Sequence, residues 1–148
     1  MKIMQIREKI MTKTYLALAL LVTVLAGNAY GEDEVYYCAE INKNGFRFDK
    51  NLKKYKPQLF FESKFKLKFD RTAKTIEIKG HKSGIAVNAT YPCAVPYAFK
   101  PELLSCSKNL YHFSFNSDNG RFVFLRGFGY VDGDHDAISV SYGKCDKF

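Results

Sequence analysis

No apolar run in this chain is long enough to cross a bilayer as a helix. The longest, Tyr15 to Ala26, is about a dozen apolar and small residues broken only by Thr23, against the ~20 that roughly 30 Å of hydrocarbon requires. There is no Cys-x-x-Cys pair, and histidine occurs only three times, so the usual sequence basis for a zinc site is missing. A serine nucleophile elbow, a zincin motif and a phosphate-cradling glycine loop are also absent, and once its cysteines are paired the chain holds no thiol nucleophile. Internal repeats, low-complexity tracts and interdomain linkers do not occur. These absences argue against an enzyme and predict no catalytic residue, no metal and no cofactor.

The short apolar run instead reads as the centre of an export signal over residues 1–31. Lys2, Arg7, Lys9 and Lys13 supply a positive flank, and Ala29-Tyr30-Gly31 places small residues where a signal peptidase cleaves, before Glu32. Met11 is an alternative start, because Met11-Thr12-Lys13 opens a more usual leader. The expected mature protein is a single domain, residues 32–148, exported to the periplasm or the cell exterior and without a transmembrane span. That length supports one core and is too short for two.

The leader holds four of the 23 Lys and Arg and one of the 15 Asp and Glu, which leaves +5 on the remainder. A moderate positive charge suits anionic partners such as lipid head groups, lipopolysaccharide, nucleic acid or acidic glycans, or serves solubility alone. Cys38, Cys93, Cys106 and Cys145 all lie beyond the leader, and an even cysteine count in a small exported chain reads as a disulfide framework. Three connectivities exist. The pairing expected is Cys93–Cys106 across a proline-punctuated loop and Cys38–Cys145 between the first and last strands.

Period-2 alternation with aromatic and β-branched residues dominates the mature part and predicts strands. In a first hairpin, Phe69 faces Ile76 and Leu67 faces Ile78 around a four-residue turn, Arg71 to Lys74, with Lys68 opposite Glu77. In a second, Phe113 faces Phe124 and Ser117-Asp118-Asn119-Gly120 turns, Gly120 taking positive φ. A third pairs Phe128 and Tyr130 with Val140 and Ile138, which makes Arg126 and Tyr142 neighbours. With Val35 to Ile41 and the separate piece Phe46-Arg47-Phe48, the expectation is all-β: a small, disulfide-stapled antiparallel barrel or sandwich of about seven or eight strands. Asn51 to Phe61 and Tyr97 to Leu104 are less regular, each with room for one helical turn.

Few residues suggest chemistry. Asp132-Gly133-Asp134-His135-Asp136 superficially resembles a calcium loop, but its sixth position is Ala137 and its twelfth Gly143, where the motif needs Gly and Glu. His81, His112 and His135 are the only groups able to move protons near neutral pH, and His112 is expected at the surface. Lys53, Lys54, Lys56, Lys64, Lys66 and Lys68 form the densest basic region, interleaved with Tyr55, Phe60 and Phe61. The expectation is that these rings are core and the lysines blunt an edge strand, with nucleic acid an unlikely partner. Asn88-Ala89-Thr90 matches a glycosylation acceptor by pattern. The mature part carries 21 Phe and Tyr rings, more than so small a core readily hides. Tyr91, Tyr97 and Phe99, beside the Pro92/Pro96/Pro101 loop, are therefore the first choice for a ligand-binding surface.

Val35-Tyr36-Tyr37-Cys38, Asn44-Gly45-Phe46, the Lys64 to Asp70 strand, Leu104-Ser105-Cys106 and the closing Tyr142-Gly143-Lys144-Cys145-Asp146-Lys147-Phe148 resemble a group of short exported proteins of marine proteobacteria. That resemblance implies a compartment and no activity, ligand or site. In size, and in a cysteine near each end, the chain is also similar to the small disulfide-linked barrels that inhibit lysozyme in the periplasm. The resulting expectation is a non-enzymatic exported β-domain that binds an anionic envelope component or extracellular ligand. The alternatives are an inhibitor of a secreted foreign hydrolase and, third, a small hydrolase.

Overall fold

The computed structural model describes residues 33–82, 87–133 and 137–148. The proposed leader and its cleavage site, and Asp134, His135 and Asp136 of the acidic loop, lie outside the described residues. The described chain forms nine antiparallel strands and one short helix: β1 (Glu34–Asp49), β2 (Lys54–Leu59), β3 (Lys64–Asp70), β4 (Thr75–Lys79), β5 (Thr90–Ala94), β6 (Leu103–Lys108), β7 (Tyr111–Asn116), β8 (Arg121–Arg126), α1 (Phe128–Asp132) and β9 (Ile138–Lys147). Each strand pairs with the next in the order β1-β3-β4-β5-β6-β7-β8-β9, and β9 pairs back onto β1. Eight strands thus close into a barrel, and β2 is an extra strand on the upper part of β1. Closure leaves no free edge around the wall. β2 does have one, carrying Lys54, Lys56 and Pro57, the residue types that discourage edge pairing.

Both disulfides are the expected ones, and each joins residues directly opposite on neighbouring strands. Cys38–Cys145 spans the closing seam between β1 and β9; Cys93–Cys106 links β5 to β6. Sequence separations of 107 and 13 residues correspond to about 5 and 3 kcal/mol in the chain-entropy account. Two disulfides place the folded protein in an oxidising compartment.

The first two hairpins take the expected registers. Phe69 faces Ile76 and Leu67 faces Ile78; Phe113 faces Phe124, and Gly120 turns with φ +70°. Lys68 does stand opposite Glu77, yet its ion pair is to Asp33 at 2.7 Å, while Glu77 pairs with Lys79. β1 runs unbroken where two pieces were expected, and the Asn51–Phe61 region holds β2 and no helical turn. β1 and the chain from 54 to 70 keep one register throughout, from Asp49↔Lys54 through Ala39↔Lys64 to Glu34↔Phe69. The ladder passes the break at residues 60–63 through Phe60 N–H to Lys43 O and Glu40 N–H to Ser63 O, both 3.0 Å.

The third hairpin differs. Phe128 and Tyr130 lie on α1, a single turn between Gly127 and Gly133, the latter a left-handed cap at φ +90°. Consequently Arg126 faces Ser139, Val123 faces Tyr142 and Leu125 faces Val140. The expected register paired Val140 with Phe128 and made Tyr142 the neighbour of Arg126, placing all of them on one face with the aromatic residues. Val140 and Tyr142 point out, and Ser139, Ser141, Gly143 and Cys145 line the interior. Close packing requires this: a Cβ at Gly143 would stand 2.0 Å from Ala39 O and 2.7 Å from the Phe122 ring.

Inside, Phe65, Leu67, Phe69, Ile76, Ile78, Tyr91, Phe113, Phe115, Phe122 and Phe124 form one continuous core. Its rings meet mostly edge-on, as Phe65 does with Phe122 at 5.4 Å, while Phe113 stacks on Phe122 at 5.2 Å. Both arrangements suit the ring quadrupoles. Truncating such a ring, as in Phe113→Ala, costs about 3–5 kcal/mol.

Candidate functional site: a basic, aromatic mouth

A β-bulge sets up the site. Tyr36, Cys38 and Glu40 point into the barrel on alternate residues. Between Glu40 and Asn42 the β1–β9 register slips by one, which switches the inward parity, so Lys43 also points in. Bulges re-aim side chains in this way. Two charged side chains three residues apart are therefore buried in one barrel end, where the hydrophobic core stops.

Glu40 is the hub of this polar layer. Its Oε2 accepts a 2.7 Å hydrogen bond from the Ser63 N–H and lies 3.6 Å from Lys43 Nζ; its Oε1 is 3.3 Å from His81 Nε2. Burial works against the carboxylate's charge, but the hydrogen bonds from His81 and Ser141 and the charge of Lys43 outweigh it and hold the pKa at about 2. Burial lowers His81, against the pull of Glu40. Its ring is enclosed by Phe65 and Phe124, at 5.2 and 5.9 Å. Burial lowers Lys43 too, followed by the like charge of Arg126. Arg126, at the inner end of β8, donates from Nε and from one terminal nitrogen to Ser139 Oγ at 3.0 and 2.9 Å. The serines inside β9 thus complete a polar lining.

Above this layer opens a cavity of about 420 Å³. Lys43, Arg47, Lys82 and Arg126 supply cations to it, and Phe60, Phe61, Tyr111 and Phe128 supply rings; no carboxylate lines it among the described residues. Arg47 sits over the Phe60 ring at 5.4 Å, and Tyr111 stacks on Phe128 at 6.4 Å. Cations with flat apolar walls can hold an anion, the guanidinium groups by paired hydrogen bonds and the rings by stacking. A second cavity of about 480 Å³ lies where β1, β2, β8 and β9 meet, walled by Phe46, Leu59, Leu125, Ile138 and Val140. Among the described residues no charged side chain lines it.

The residues expected to form a ligand surface do not come together. Tyr91 is wholly buried, its hydroxyl donating to Val87 O at 3.0 Å, and it belongs to the core because its strand turns that face inward. Tyr97 and Phe99 are exposed and touch each other at 5.6 Å, but the β5–β6 loop lies at the end of the barrel opposite the mouth. Phe61, expected in the core, is 94% exposed, because it falls in the four-residue break between β2 and β3. His112 is at the wall's surface, its two ring nitrogens meeting Ser107 and Ser114 hydroxyls at 2.7 and 3.2 Å. Both nitrogens are thereby engaged by hydroxyls. Asn88 accepts from the His81 N–H and donates to His81 O, at 2.8 and 3.0 Å, so the glycosylation-type asparagine uses its amide to lace the loop after β4. Among the described residues no cluster of three metal-ligating side chains exists, and no helix is long and apolar enough to span a membrane.

Fold and site together define a closed eight-stranded antiparallel barrel, disulfide-bonded, with a basic aromatic mouth. No protein-family model matches the sequence, and no curated protein is significantly similar to it.

Proposed function

We propose that this is a non-catalytic, exported β-barrel that binds an anionic ligand in its mouth. One observation carries the reading: Lys43 and Arg126, from different strands, converge on a single cavity with aromatic walls. Cations beside flat apolar walls suit an anion that carries an aromatic or other flat group. Export agrees with the leader-like residues 1–31 and with two disulfides, and it makes an envelope component or an extracellular metabolite the available ligand.

Titration with phenyl phosphate, followed by amide shifts around Lys82 and Gly129, tests this. Saturable shifts are expected in the millimolar range, with Arg126→Gln binding about tenfold more weakly, as the loss of a charge-assisted contact implies. No saturable shift, or unchanged affinity in a folded Arg126→Gln protein, overturns the reading. The exported route has its own check. Mass spectrometry of protein recovered from its native host should find the chain beginning near Glu32, and an intact leader would contradict it.

A further inference from the structure

The end of the barrel that holds the cavity has a second property. Besides Phe61, Val131 on α1 is 66% exposed, and Tyr130 and Leu110 are also open to solvent. Leu110 sits in the two-residue β6–β7 turn at φ +61°, a left-handed conformation that leucine rarely adopts. All four lie at the mouth end, because the loops β2–β3, β6–β7 and β8–β9 leave the wall on the same side as the cavity. Lys50, Lys53 and Lys54, in and beside the β1–β2 turn, are exposed at the same end, as are Glu62 and Asp132. Single exposed rings are ordinary on a protein surface. Protruding apolar residues together with lysines at one end suit interfacial binding to an anionic membrane.

We infer that the barrel docks mouth-down on an anionic lipid bilayer, with Phe61 and Val131 in the interface and phosphate head groups over the basic cavity. This rests on the reading of the cavity as an anion site. The opposite end also exposes rings, Phe99 and Phe148; there Lys68, Arg71 and Lys147 are paired to Asp33 and Glu34, while Lys74, Lys100 and Arg121 are exposed, so Phe99→Ser tests that end directly.

Co-sedimentation with phosphatidylcholine vesicles, with and without phosphatidylglycerol, tests the inference on exported protein recovered from a host expressing the full chain. Variant and parent are compared in identical preparations, so that any other segment contributes equally. Binding is expected only with phosphatidylglycerol and should weaken with added salt. Phe61→Ser and Val131→Ser should each lower the partition coefficient about tenfold, Lys54→Gln about fivefold, and Phe99→Ser not at all. Equal binding to both vesicle types, or unchanged partition in Phe61→Ser and Val131→Ser, overturns docking. Phenyl phosphate binding without vesicle binding removes the membrane and leaves the anion site standing. Loss of both removes the two readings together. Capture by a single-stranded oligonucleotide in place of vesicles would transfer the surface to nucleic acid and end the lipid assignment.

Discussion

Two glutamates, one at each end of the barrel, hold basic partners in superficially similar ways. Glu34, at the end away from the mouth, receives Arg71 at 2.8 Å and Lys147 at 3.0 Å, together with the Tyr36 hydroxyl. Glu40, beneath the mouth, receives Lys43, His81, Ser63 and Ser141. In both, burial opposes the charge and its partners outweigh it, and both carboxyls settle at about 2. The surroundings differ. Arg71 and Lys147 are half exposed, so water and salt share their solvation, whereas Lys43 and His81 are enclosed. Equal acidity therefore does not mean equal contribution to the fold. The buried pair is costly to break, because removing one charge strands the other, and the exposed one is worth little.

The largest effect expected is from Glu40→Gln. It removes the buried carboxylate that Lys43 and His81 share and should destabilise by about 3–5 kcal/mol in urea unfolding. A loss below about 1 kcal/mol would break the contrast between the two ends. Acid should separate the ends next. His81 is lowered by burial, so the unfolded chain takes up a proton below the ordinary value of 6.5 that the folded protein refuses, and stability starts to fall there. A second fall follows between about 4.5 and 2, as both glutamates are protonated. His81→Gln should abolish the first stage and keep the second; persistence of the first stage would assign it elsewhere. Glu34→Gln should cost at most about 1 kcal/mol, and less at high salt. Smallest of all, Tyr97→Ala and Phe99→Ala should change unfolding by no more than about 0.5 kcal/mol and leave phenyl phosphate binding unaltered. Weakened binding in either would move the ligand to the far end.

How much of this could be read from the residues varied along the wall. Where alternation separated Phe, Leu and Ile cleanly from Lys, Thr and Glu, as over Lys64–Lys79, register and turn were both legible, because a one-residue slip would have put lysine inside. Alternation left barrel and sandwich both open, and the disulfide pairing was expected from the proline-punctuated loop and from tying the first strand to the last. β9 misled because the rule that apolar residues face in is reversed there. Val140 and Tyr142 decorate the outside while small Ser139, Ser141 and Gly143 make room for Arg126, Glu40 and the Phe122 ring. Glu40, Lys43, His81 and Arg126 were missed as a group, since they are scattered over more than eighty residues and no motif links them. A signal was present: Tyr36, Cys38 and Glu40 share one parity, so the inward face of a strand ends on a carboxylate. Lys43 could not have been added, because a bulge has no reliable local signature. Phe61 was misplaced for a related reason, its hydrophobicity being read as burial when it lies in a gap of the ladder.

The seam bridge has one further consequence. Cys38 and Cys145 lie within a few residues of where the barrel chain enters and leaves, at Asp33 and Phe148. Tension applied to those two ends passes along short tethers and through the sulfur bond, bypassing the 107-residue span between. The barrel is thus mechanically shielded: stretched between two anchors, it would lengthen by its tethers alone, and its wall would yield only after reduction.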